Sequence, residues 1–488
     1  MSSPAQLNIA PRRWLMREIS ATLALSGPIV LANIAVNLMT TTDVMMLGWL
    51  SPRALAAGAL GQSIYTTLLL FCIGVVGALA PLAASLVGAD RKDTAGLRAA
   101  LHQTLGSALL LAGPAWVLLW ATEPILRAIG EPADLAADAA RYMHALQWAL
   151  APALLYFSTR CAFAALDRVA PTLIAGLIAV VFNAGANYLL VFGKLGLPAL
   201  GVVGSGLATS LSQTVMMLIL VGWSFVDPHL RRYRLFAARP HFDRAAFVSL
   251  WRLGLPIGAT IAAEVGIFSG AGLAMGLIGP HALEAHAIAL QIASVAFMVP
   301  LGLGQAASVR VGHAYGARDE RAVSRAGWTA LAVTMGYVAL SATAMLAFPR
   351  LLIAPFLAHD TADLDKIVAQ TLSFLQIAAL FQLFDGAQAA LANMLRGVHD
   401  SRWPAAMAVV GYWAIGAPIG IGLAFFTPLA GRGLWIGLAC GLAAVSLQLL
   451  WRWIGRERRG FFPPPSPRLE VDVESGPAET VASAPSGG

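Results

Sequence analysis

Three carboxylates stand alone in long apolar stretches: Asp43, Glu264 and Asp385. Asp43 is the only formal charge between Glu18 and Arg53, Glu264 the only one between Arg252 and Glu284, and Asp385 the only one between Lys366 and Arg396. Each stretch is long enough to cross a bilayer. A carboxylate at that depth costs on the order of 2.5–3.5 kcal/mol even on the lenient insertion scale, so such residues face a bundle interior or a wet cavity and mark an ion or substrate path. Low dielectric favours the neutral acid, so a buried carboxylate can take up a proton and release it in exchange for another cation. Oxygen ligands from Asp, Asn, Thr and Gln also suit a hard cation such as Na⁺.

The neighbours of these acids are polar at helical spacing. At about 100° per residue, Asn33, Asn37 and Thr40 share one narrow face, with Asp43 beside Thr40. Asn33 and Asn37 are candidate cavity-lining residues; interhelical hydrogen bonding is their competing role. Asn183 and Asn187, four apart on one face, can supply neutral ligands around Asp43. Gly201, Gly204 and Gly206 precede Thr209 and point to close helix packing. Gln382 and Gln388 flank Asp385 at three-residue spacing, and with Gln370 and Gln376 make this the wettest helix of the chain. Glu264 has little polar company; Phe268 follows it by one turn. His281 and His286 read as interfacial, and no nucleophile or metalloprotease motif is present.

The elements that position these groups are membrane helices. Hydrophobic residues form 58% of the 488-residue chain and charged residues only 12%, about half the charge of a soluble domain. Mean hydropathy is +0.72. The net charge of +7 does not indicate nucleic-acid binding, because the bases sit in short links where they orient helices. Cys72, Cys161 and Cys440 have no metal-ligand spacing and give no disulfide framework. Arg12-Arg13 precedes an apolar run too long for a signal h-region and reads as the inner flank of the first helix.

Charge-poor runs predict twelve spans, near 24–48, 57–80, 101–121, 140–158, 170–192, 202–225, 255–278, 285–308, 327–348, 370–392, 405–426 and 433–453. Of the 32 Lys and Arg residues, 25 fall in the arms and links on the side of both termini and seven on the other. That bias places both termini in the cytoplasm, in the inner (plasma) membrane of a cell. The halves repeat: an offset of 228 brings Pro28-Ile29 onto Pro256-Ile257, Pro52 onto Pro280, Gly74 onto Gly302 and Gly88-Ala89 onto Gly316-Ala317. Six spans per unit give both halves one topology, related by an axis along the membrane normal. The expected organisation is a cytoplasmic arm 1–22, an N-lobe 23–226, a cytoplasmic link 227–252, a C-lobe 253–455 and a disordered cytoplasmic tail 456–488. Two complete lobes let a monomer suffice. The repeat does not extend to the acids: Ala271 stands opposite Asp43, and Val36 opposite Glu264.

Three segments carry a family resemblance. "SGPIVLANIAVNLMTTTDVMMLGWLSPRALAAGALGQS", "RLGLPIGATIAAEVGIFSGAGLAMGLIGPHALEAHAIALQIASVAFMVPLGLGQAASVRVGHAYGA" and "ALFQLFDGAQAALANMLRGVHDSRWPA" resemble the first, the seventh and eighth, and the tenth helices of the MATE (multidrug and toxic compound extrusion) family, in its NorM-like branch. The resemblance covers residues 20–455 or so. It implies an all-α membrane fold of twelve helices in two six-helix lobes, and export of organic cations driven by H⁺ or Na⁺, with no other cofactor. Asp43, Asn183, Asn187 and Thr209 match the N-lobe polar cluster; Glu264 and Asp385 match the C-lobe cation-site acids, the implied Na⁺ ligands. Where the family pattern has Tyr, this chain has Phe381, a cavity-lining candidate without a hydroxyl ligand, which tilts coupling towards protons. The alternative is a flippase for a lipid-linked or polysaccharide precursor. Handling a pyrophosphate calls for Lys or Arg inside the helices, and the predicted spans have essentially none away from their ends. A membrane-embedded enzyme lacks its catalytic constellation.

Overall fold

The computed structural model describes residues 11–236, 242–356 and 364–462, with side chains from Leu15 onward. The side chains of Arg12 and Arg13 and the tail beyond residue 462 lie outside it. Among the described residues there is no strand. In hydrocarbon each backbone N–H and C=O must be satisfied within its own segment, which leaves the helix as the available form for these apolar runs.

Among the described residues twelve helical spans follow in order. They are α1 (Pro11–Leu50), α2 (Pro52–Ala89), α3 (Thr94–Trp120), α4 (133–165), α5 (Ala170–Phe192) and α6 (Val202–Val226) in the first half. The second half holds α7 (Arg244–Ile278), α8 (Pro280–Gly316), α9 (Glu320–Ala347), α10 (Leu364–Gly397), α11 (Arg402–Phe425) and α12 (Gly431–Arg459). Most run beyond the limits read from charge alone. The last continues through residue 456, where the tail was expected to begin, and Phe461 is buried against Trp453 at a ring separation of 5.1 Å. The 227–252 link contains a short helix, Pro228–Arg231, and the first turns of α7.

Eleven of the spans are long and apolar enough to cross a membrane as described. The remaining one, α4, is divided by a 3₁₀ turn at Gln147–Ala149 between Ala133–Leu146 and Leu150–Ala165. Pro152 has no N–H to offer the carbonyl of Trp148, so the α-ladder fails there. The Gln147 carbonyl accepts the 3₁₀ bond from the Leu150 N–H and a second one from Trp116 Nε1 on α3, at 2.8 Å. Proline also marks the other irregularities: Pro81 follows the turn at Gly77 in α2, and Pro418 follows a π-turn at Val410–Gly416 in α11.

The two halves reuse the same turn chemistry. A single residue joins α1 to α2 and α7 to α8, Ser51 and Gly279, and each is followed by Pro at the first helical position. Asp93 caps α3 and Asp319 caps α9, each accepting a backbone N–H at 2.9 Å.

The halves meet along the end that carries both termini. Gly74 of α2 faces Gly258 of α7, so closely that a Cβ on Gly74 would lie 2.6 Å from the Gly258 Cα. Nearer the termini, a Cβ on Gly88 would overlap the His313 carbonyl, and one on Gly316 the Ser85 carbonyl. Polar ties cross the same seam: His313 Nε2 to Ala165 O at 2.7 Å, Trp251 Nε1 to Ser107 Oγ at 2.9 Å, and Arg310 to Glu18 and Thr22.

Adding a methyl to this seam forces backbones apart. Gly88→Ala and Gly316→Ala should each destabilise by about 1–3 kcal/mol, the usual range for overpacking. Gly106→Ala and Gly113→Ala, whose added Cβ would meet nothing within 4 Å, should not. Thermal unfolding of the four purified variants checks this; equal midpoints would show that the seam has slack.

Candidate functional site

Small residues bring the N-lobe donors to Asp43. Gly176 of α5 lets that helix approach Ala32 and Ala35 of α1, and Gly204 of α6 packs on the backbone at Leu190. The three helices then converge on a buried carboxylate, 4% exposed. Asn183 Nδ2 and Asn187 Nδ2 donate to Asp43 Oδ1 at 3.1 and 2.7 Å, and Thr209 Oγ1 donates to Oδ2 at 2.6 Å. The last is in the range of a charge-assisted O–H···O⁻ bond. All three partners are neutral. When the carboxyl takes up a proton it becomes a donor, and the amide oxygens of Asn183 and Asn187, buried without partners, are acceptors in the same cluster.

The C-lobe acids are held differently. Gln388 Nε2, one turn beyond Asp385 on α10, donates to Glu264 Oε2 on α7 at 3.4 Å. Asp385 lies within the field of Glu264. Asp385 Oδ1, Gln388 Oε1, Gln382 Oε1 and the Tyr412 hydroxyl are all buried without a hydrogen-bond partner. Of these, Asp385 Oδ1, Gln388 Oε1 and the Tyr412 hydroxyl belong to the cluster around the two acids, a site with acceptor capacity to spare, which fits a proton, a hydrated cation or Na⁺. Among the described residues no group of three or more His, Cys, Asp and Glu forms a site for other metals.

Tyr412, on the π-turn of α11, was not among the residues singled out from sequence. Its hydroxyl feels Glu264 and Asp385 and sits beside Gln388. It supplies to this cluster the hydroxyl that Phe381 lacks. A lone tyrosine in the apolar run 405–426 was the available signal. Phe381 itself is 1% exposed and packs edge-on against Phe268 and Trp435 at 5.9 and 5.7 Å, so it belongs to the lobe interior. Gln382 Nε2 is tied to Ala293 O on α8 at 2.8 Å. His286 is also interior, edge-on to Trp435, rather than interfacial.

On α1, Asn37 is half-buried, while Asn33 is buried and engaged: its Oδ1 accepts from Arg160 Nη2 at 2.7 Å. Arg160 falls between the predicted spans 140–158 and 170–192, in what the charge pattern makes a link, yet it sits inside a helix. The helix Leu150–Ala165 continues past it, and it is 6% exposed. It lies near the end of its helix, as expected of a base, but is buried there.

The MatE family model matches residues 28–189 and 256–421, two stretches whose starts lie 228 positions apart. The chain is 46% identical over 449 residues to a protein of Mesorhizobium japonicum named "Probable multidrug resistance protein NorM", covering 92% of this chain and 96% of that one. A protein of Brucella suis with the same name is 42% identical over 443 residues, covering 90% and 93%. Among solved structures, the eukaryotic MATE transporter AtDTX14 superposes with a TM-score of 0.81 at 23% identity, over 91% of this chain and 98% of that one. An outward-facing multidrug resistance MATE family transporter of the MOP superfamily gives 0.81 at 19% identity, over 92% and 98%.

The Thr209 bond to Asp43 is separable by near-isosteric substitution. Thr209→Val should cost about 1.5–3 kcal/mol, the usual loss for a hydrogen bond to a charged group. In an Asp43→Asn background the same change should cost much less. Unfolding midpoints of both single variants and the double variant measure the coupling; additive losses would show that the two side chains act independently.

Proposed function

Since the chain belongs to the MatE family and is a multidrug efflux transporter rather than an enzyme, we propose that it exports cationic or amphiphilic organic compounds in exchange for H⁺ or Na⁺ by alternating access. The observation that carries this reading is the pair of buried carboxylate clusters, one per half, whose hydrogen-bond donors are all neutral side chains. An acid hydrogen-bonded only by neutral groups is free to exchange a proton or Na⁺ for an organic cation. A repeated pair of six-helix units supplies the two bodies that rock against each other. We assign residues 23–226 and 253–455 to them.

The charge bias of the links supports an inner-membrane protein with both termini in the cytoplasm. On that orientation the seam faces the cytoplasm. Asp43, with Asn183, Asn187 and Thr209, is the N-lobe exchange site; Glu264 and Asp385, with Gln388 and Tyr412, form the C-lobe site. Each lobe pair is complete within one chain, so a monomer can carry out the cycle. Tyr412 offers Na⁺ a hydroxyl ligand, which narrows the advantage that Phe381 gave to protons.

Dye efflux from proteoliposomes under a pH gradient or a Na⁺ gradient, imposed separately, tests the coupling. Asp43→Asn should reduce gradient-driven export at least tenfold with normal insertion, as should Glu264→Gln and Asp385→Asn. Retained coupled export in all three would sink the assignment. If Na⁺ is used in the C-lobe, Tyr412→Phe should raise the Na⁺ concentration for half-maximal flux severalfold while leaving flux driven by a pH gradient largely intact.

A further inference from the structure

Arg160 is buried on α4, and a single nitrogen of its guanidinium joins three helices. Nη2 donates to Asn33 Oδ1 on α1 at 2.7 Å and to Gln305 Oε1 on α8 at 2.6 Å. The guanidinium lies 5.6 Å from the ring of Phe157, one turn away on its own helix. Both acceptors are neutral amides, so a full positive charge is held in the seam without a carboxylate in these contacts. Burying a cation this way is costly unless its hydrogen bonds are kept, and removing one partner leaves the charge stranded. Asn33 belongs to the same half as Arg160 and fixes the direction of the side chain. Gln305 belongs to the other half. The Arg160–Gln305 bond must therefore break when the two halves part at the terminus-side end, while the Arg160–Asn33 bond need not.

We propose that Arg160 is a latch between the halves: pre-aimed by Asn33, it grips Gln305 to hold the terminus-side end shut, and so sets the balance between the two access states of the transport cycle. The latch rests on the alternating-access reading above. It is a positioning residue and makes no contact with the carboxylates. The geometry also fixes the sign of two opposite changes. Arg160→Gln removes the charge-assisted bond and frees the end to open. Gln305→Glu turns the same contact into an ion pair and tightens it. A residue that merely fills space would not respond in opposite directions.

Spin labels at Ala89 and Ala317, both exposed and placed beside the Gly88 and Gly316 contacts on opposite sides of the seam, read the opening. The full chain is reconstituted in vesicles with Cys72, Cys161 and Cys440 replaced by Ala, after this background is shown to export dye. Pulsed distance measurements should give a short and a long separation whose ratio responds to the imposed pH gradient. Arg160→Gln should raise the long-distance fraction relative to the short one by on the order of tenfold, the usual consequence of losing a charge-assisted bond. Arg160→Lys should move it less. Gln305→Glu should lower it and slow dye export, with dye binding at equilibrium preserved. If the background shows both distances while the folded variants leave their ratio unchanged, or Arg160→Gln and Gln305→Glu move it the same way, the latch is overturned. One distance under every gradient would overturn alternating access and the latch with it.

Discussion

A charge buried in hydrocarbon must find its partners inside the protein, and Asp43 finds them on two other helices. This demand organises the first half of the molecule. To reach one carboxylate, Asn183, Asn187 and Thr209 must approach within hydrogen-bond distance, and α1, α5 and α6 must then pack almost backbone to backbone. Glycine at 176 and 204 permits that approach. The dense packing and the polar cluster are one requirement seen from two sides. With little hydrophobic force between helices in a membrane, such close contacts and bonds supply much of the association.

The second half meets the same demand less completely. Glu264 has one long bond from Gln388, and several oxygens around it stay unpartnered. Arg396, at the end of α10, lends a favourable field to Glu264 from further off. The N-lobe acid is thus held in a saturated cradle and the C-lobe acids in an open one. Between them runs a seam of glycine approaches and a handful of polar ties. Apolar side chains of both halves, among them Leu25, Leu79, Leu253, Ile257 and Val309, also share one buried cluster across it, so separation exposes apolar surface as well as breaking these bonds.

Much of this was legible in the sequence. The lone acids, the four-residue spacing of Asn183 and Asn187, and the 228-residue offset are local or periodic signals, and geometry on one helix or one repeat is enough to read them. What escaped reading depends on contacts between helices distant in sequence. Asn33 shares a face with Asn37, yet its partner is Arg160, 127 residues away. Arg160 looked like a link residue because charge alone was used to end the span. Phe381 was singled out by the family resemblance, which says nothing of the rings from two other helices that enclose it. Tyr412 reaches the acids from a π-turn, where the usual 100° step does not hold. The split in α4 was signalled by Pro152, within the apolar run.

Ala271 opposite Asp43 and Val36 opposite Glu264 bear on the ancestry of the molecule. Two identical halves, assembled as a symmetric pair, would each have to carry every buried acid. Such a pair would hold six carboxylates where this chain holds three, each adding on the order of 2.5–3.5 kcal/mol of insertion penalty. Joining the halves in one polypeptide removes that obligation. Each copy can surrender the acids it does not need to an aliphatic residue, so fusion roughly halves the electrostatic load on insertion and frees the two halves to diverge in the ions they handle.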